Sequence, residues 1–140
     1  MAFAQEHAIT DICLLVKDTQ RSIDFYVGKL GFEINRQAEG FVEFNGAGLT
    51  LACWEIDHLS DNTGVSNAKA EGPHKACIAV RVPSPEAVDA SYTELKDKGV
   101  PFYGGPADYV WNARGAYFIG PDDELWEIYA WKEGGSMGNF

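Results

Sequence analysis

The chain has 140 residues, 46% hydrophobic and 13% aromatic, with a formal net charge of −10; this is the size of one domain with room for a core. The negative charge is shared by both halves and no Lys/Arg cluster could neutralise successive phosphates, which excludes nucleic acid and disfavours an anionic membrane surface. No apolar run is long enough to span a bilayer, and residues 1–7 lack a basic n-region and an apolar h-region, so the expectation is a cytoplasmic protein without a secretory signal.

Residues 12–16 alternate in polarity and predict a strand with two distinct faces. An amphipathic helix is expected over 19–30, with Ile23, Tyr26, Val27 and Leu30 at helical spacing and Gly31 at the left-handed position after it. Residues 32–36 read as the next strand. Residues 40–44 and 49–54 flank Asn45-Gly46, a strong hairpin signal, with Ala47 and Gly48 lengthening the loop. The polar stretch 55–73 reads as a connection with at most one short turn of helix, long enough to cover a site.

The order then repeats at an offset of about 66 residues, too long a period for a solenoid. Residues 76–82 form a strand and 85–98 a helix, opened by Pro85 and closed by Gly99. Residues 100–103 form a short strand and 104–115 a loop holding Tyr109 and Trp111. Two strands, 116–119 and 125–131, are joined by Gly120-Pro121-Asp122-Asp123. The chain thus divides into a unit over about 8–56, a connection over 57–73, a second unit over about 74–132 and a tail over 133–140. The fold class is α+β, two β-α-β-β-β units. Cys13, Cys53 and Cys77 lie in strand-like runs without CxxC spacing and read as three buried, reduced thiols.

Two stretches carry a resemblance. One is 11–32, with Val16-Lys17-Asp18, Ser22-Ile23, Phe25-Tyr26 and Leu30-Gly31-Phe32. The other is 115–129, with Gly120-Pro121-Asp122-Asp123 and Leu125-Trp126-Glu127-Ile128. They resemble the vicinal oxygen chelate superfamily of glyoxalases, bleomycin-resistance proteins and extradiol dioxygenases. The resemblance implies sheets curled into a ligand cup within one glyoxalase-like domain, commonly a homodimer, and often a divalent metal. The family's four ligand places fall on Asp11, Thr50, Cys77 and Glu127, of which only Glu127 matches the usual His, Glu or Gln. His7 shares strand parity with Asp11 if the strand extends back, and His58 and His74 read as surface histidines.

Strand parity puts Asp11 and Cys13, Thr50 and Trp54, Cys77 and Arg81, and Glu127, Tyr129 and Trp131 on the cup side, with Trp111 in a loop at its mouth. Such a wall suits a flat or cationic organic molecule. Two function classes follow. One is a small-molecule-binding protein with no cofactor. The other is a lyase, isomerase or dioxygenase that uses Glu127 as a base, or Asp11 and Glu127 on zinc, nickel, iron or manganese.

Overall fold

Each half of the chain builds one four-stranded mixed sheet with a helix packed on it. The computed structural model describes residues 3–7, 9–46, 48–65 and 76–132. Contacts divide the chain into two compact units, Met1–Ala70 and Glu71–Phe140. Among the described residues no helix is long and apolar enough to cross a membrane.

The first unit opens with a short helix, α1 (Phe3–Glu6), then runs β1 (Asp11–Val16), α2 (Thr19–Tyr26), β2 (Glu33–Ala38), β3 (Phe41–Asn45), β4 (Thr50–Glu55) and α3 (Ile56–Thr63). The sheet order is β1-β4-β3-β2, with β1 parallel to β4 and the other neighbours antiparallel. Asp18 caps α2 by accepting from the Gln20 amide. The helix buries Phe25 and Tyr26, and the Tyr26 ring lies 5.7 Å from Phe44 of β3. Val16, Val42, Leu51 and Cys53 complete this core. Apolar burial of this kind is the main force holding helix to sheet.

The second unit repeats the plan with β5 (Cys77–Arg81), α4 (Pro85–Asp97), β6 (Ala107–Tyr109), β7 (Ala113–Ile119) and β8 (Leu125–Trp131). Its order is β5-β8-β7-β6, again with the first pair parallel. Ser84 caps α4 by accepting from the Ala87 amide, and Pro85 sits in the first turn, where its missing N–H costs nothing. A run of rings joins helix to sheet: Tyr92 to Phe102 at 4.8 Å, Phe102 to Phe118 at 5.4 Å, and Phe118 stacked on Trp126 at 5.8 Å. That run fixes which face of the sheet the helix covers. The odd-numbered residues of β7 and β8 therefore turn the other way.

Four sequence expectations need correction. The α-helix expected to Leu30 ends as regular helix at Tyr26, after which the amides of Gly28 and Leu30 reach back five residues, to Ile23 and Phe25. Gly28 is where the helix widens, and a Cβ there would collide with the Asp24 carbonyl oxygen. The connection holds an eight-residue helix, α3, rather than one turn. The strand expected over 100–103 is a single bridge, Phe102 to Phe118. The strand beside β7 is instead β6, inside what reads as loop. Finally, only Cys53 is buried; Cys13 and Cys77 are exposed, because parity puts them on the faces away from the helices, and all three are free thiols.

Candidate functional site

The face of the second sheet turned away from α4 is where the chemistry gathers. Antiparallel pairing of β7 with β8 sets Tyr117 opposite Glu127, Gly115 opposite Tyr129 and Ala113 opposite Trp131. The Tyr117 hydroxyl donates to Glu127 Oε2 at 2.8 Å. Among the described residues no cation pairs with Glu127, although the carboxylate is only partly exposed.

A glycine lies beneath the rings around this pair. A Cβ at Gly115 would lie 3.5 Å from Tyr109 Cε2 and 3.7 Å from Glu127 Oε2. The Tyr109 ring of β6 thus lies over Gly115 of β7, an aromatic cover of a strand glycine, while the tightest neighbour of such a Cβ would be the Ile128 carbonyl oxygen at 3.3 Å. From there Tyr109 meets Tyr117 edge to face at 6.1 Å, and Trp111 stacks on Tyr109 at 4.8 Å with planes 5° apart. Tyr129 and Trp131 meet edge to face at 5.3 Å farther along β8. Arg81 is exposed at the end of β5, with Tyr129 as its register partner.

The electrostatics follow from this packing. Burial first, then the hydrogen bond and charge of Glu127, push the Tyr117 phenol well above its ordinary pKa. Burial, then the charge of Glu127, also raises the Cys77 thiol. Cys77 pairs with Leu125 and Ala79 with Glu127, so the thiol sits one step diagonally from the carboxylate. Both neighbours of Glu127 are thereby held protonated.

In the first unit Asp11 and Thr50 are direct register partners, followed by Cys13 with Ala52 and Leu15 with Trp54. Thr10 donates its hydroxyl to Asp11 Oδ2 at 2.6 Å. Burial, then the charge of Asp11, raises the Cys13 thiol. The Trp54 indole N–H donates to His58 Nδ1 at 2.9 Å, so His58 of α3 is a partly buried acceptor rather than a surface residue. His7 is exposed and precedes β1, and His74 lies outside the described residues.

Each unit offers few donors for a metal. Among the described residues no three His, Cys, Asp or Glu come together. In the second unit Glu127 Oε2 already accepts from a phenol, and the candidate ligand beside it is the single thiol of Cys77. In the first unit Asp11 has Thr50 beside it, a weak ligand. Neither unit, among its described residues, brings together by itself the three or four ligands a divalent ion usually takes.

Sequence reasoning missed Tyr117. The signal was present, since a turn over 120–124 that pairs residue 119 with 125 also pairs 117 with 127. An open cleft of about 470 Å³ lies on the opposite face of the second unit, lined by Pro85, Glu86, Asp89, Asp108, Arg114 and Lys132. There Arg114 donates to Asp89 at 2.9 Å and to Asp108 at 3.1 Å, with Lys132 3.5 Å from Asp108. These charges satisfy one another and fasten α4 to the sheet.

Comparison with known proteins agrees with this architecture. The sequence model of the Glyoxalase/Bleomycin resistance protein/Dioxygenase superfamily matches residues 8–128. The chain is 29% identical over 124 residues to the uncharacterized protein YraH of Bacillus subtilis (strain 168), covering 86% of this chain and 96% of that one. A crystal structure of a glyoxalase/bleomycin resistance protein/dioxygenase from Nocardioides matches with a TM-score of 0.88 at 41% identity, over 96% of this chain and 89% of that one. The fold is shared with a glyoxalase-related enzyme from Fulvimarina pelagi, with a TM-score of 0.74 at 22% identity over 94% of this chain and 97% of that one. With two fused β-α-β-β-β units and a match over most of its length, the chain belongs to the glyoxalase/bleomycin-resistance/dioxygenase superfamily.

Proposed function

We propose that the second unit holds a planar organic cation, with Glu127 as its charge partner and Tyr109, Trp111, Tyr129 and Trp131 as its aromatic surroundings, and that it does so without a resident metal. One observation carries the reading: a half-buried carboxylate stands among aromatic rings with a phenol, and no cation among the described residues, as its partner. A charge withdrawn from water calls for an opposite charge, and aromatic faces attract cations as well as flat rings. The formal charge of −10 raises the local concentration of any small cation. Cys77 completes the second unit's candidate ligand-contacting set, with Arg81 at the far end of the same strand, and Asp11, Cys13, Thr50 and Trp54 form the first unit's own candidate set.

The test is titration calorimetry with two probes of one shape, neutral quinoline and the cation 1-methylquinolinium, backed by quenching of tryptophan fluorescence. The cation binds more tightly, and Glu127→Gln brings the two probes together. Equal binding of both, or none, overturns the reading. One equivalent of zinc, nickel, iron or manganese that survives dialysis and is lost in Glu127→Ala would put the metal-dependent lyase, isomerase or dioxygenase in its place. We also propose a homodimer, since each sheet ends in edge strands that need cover; light scattering that finds only monomer at micromolar concentration would reject it.

A further inference from the structure

The partner of Glu127 bears on what kind of cation the site takes. The side chain of a glutamate has three rotatable bonds, and an exposed carboxylate turns toward water. Here Oε2 is held by the Tyr117 hydroxyl at 2.8 Å. Tyr117 is itself braced, since the Tyr109 ring stands edge-on to it at 6.1 Å and lies on Gly115. Among the described residues Tyr117 is the one hydrogen-bond donor to Glu127, leaving Oε1 as the acceptor offered to a ligand.

We infer that Tyr117 is a positioning residue that fixes the Glu127 carboxylate on the aromatic face, so that the site selects cations bearing N–H donors, such as protonated aromatic amines and amidines, over fully alkylated cations of the same shape and charge. This rests on the reading proposed above and adds directionality to it. A quaternary nitrogen gains only the Coulombic and ring terms, which vary slowly with angle. An N–H donor also gains a charge-assisted hydrogen bond, which needs an acceptor held in place.

The experiment compares 1-methylquinolinium with protonated 4-aminoquinoline by calorimetry, in the wild type and in Tyr117→Phe. In the wild type the amino compound binds tighter by about tenfold or more, the scale of one hydrogen bond to a charged group. In Tyr117→Phe that ratio falls to within about threefold, with most of the loss in the amino compound, because the loosened carboxylate still attracts charge but no longer aims at a donor. A merely structural role would lower both affinities together and leave the ratio intact, and that result overturns the proposal. So does a wild-type ratio near one, which would leave the cation reading standing. Binding of neither cation overturns both. Thermal melting and far-ultraviolet circular dichroism confirm that Tyr117→Phe, which deletes one hydroxyl and keeps the ring, is folded.

Discussion

The two units answer the same backbone with opposite electrostatics. In the first, Glu43 of β3 faces Arg36 of β2 across the sheet, and the guanidinium donates to its carboxylate at 2.9 Å while Asn35 donates to the other oxygen at 2.8 Å. The same guanidinium lies 5.7 Å from the centre of the Phe41 ring, which stands edge-on to Trp54. A carboxylate, two aromatic rings and a built-in cation share one sheet face. In the second unit Glu127 has the rings but a neutral phenol in place of the guanidinium. On the reading proposed above, what the first unit supplies from its own chain the second takes from a ligand, so that a duplicated framework keeps one copy closed and the other receptive by changing who neutralises a carboxylate.

The largest test of that comparison concerns what the units share. Phe44 and Phe118 are each 2% exposed and hold helix to sheet in their own units. Phe44→Ala and Phe118→Ala should each cost about 3–5 kcal/mol in chemical denaturation. If one substitution costs less than 1 kcal/mol, the two cores are not built alike.

Next comes the difference itself. Glu127→Gln should weaken 1-methylquinolinium, whereas Glu43→Gln should leave its affinity unchanged, because Arg36 already answers that charge. Equal losses from the two variants would erase the distinction between the units.

A pH test follows. Tyr117 keeps its proton above the ordinary tyrosine range through burial and through Glu127. In the unfolded chain the phenol titrates near about 10. Its contribution to stability is therefore complete below about pH 10 and is lost as pH rises through the higher folded value, since only the unfolded chain has released the proton in that interval. Denaturation at about pH 9 and pH 11 should show a steeper loss for the wild type than for Tyr117→Phe. Parallel losses would mean that the hydroxyl is not held as described.

The units differ also in how far they could be read ahead of the structure. Strand parity grouped Asp11, Cys13 and Trp54 on one face of the first sheet and Glu127 and Tyr129 on one face of the second, and the register keeps each group together. Periodicity is a local property, and it survives folding. The errors lie where local signals conflict with packing. β6 is three residues long beside Pro106 and two glycines, too short to announce itself, and exists because β7 offers it an edge. The carboxylate of Glu127 is legible in the sequence and its phenol is less so, because a partner across a hairpin emerges from register rather than from spacing. His58 shows the same limit, since its bond to Trp54 depends on α3 turning back against β4.

The smallest effect on stability has the most to say about the comparison. Arg36 is 70% exposed at its side chain and Glu43 only 13%. The pair is exposed on the Arg36 side only, and Asn35 remains as a donor, so Arg36→Ala should lower stability by about 1–3 kcal/mol, less than the core substitutions. Yet it removes the cation from the first unit's face and leaves Glu43 beside Phe41 and Trp54 with Asn35 as a neutral donor, close to the situation of Glu127 with Tyr117. Calorimetry with 1-methylquinolinium should then find a second, weaker site per chain. It should be weaker because Asn35 is exposed, and water competes for its hold on the carboxylate. The new site should vanish in the double variant Arg36→Ala, Glu43→Gln. If the stoichiometry stays at one, the guanidinium is not what separates the closed unit from the receptive one, and the reason must lie in the shape of the two faces rather than in their charge.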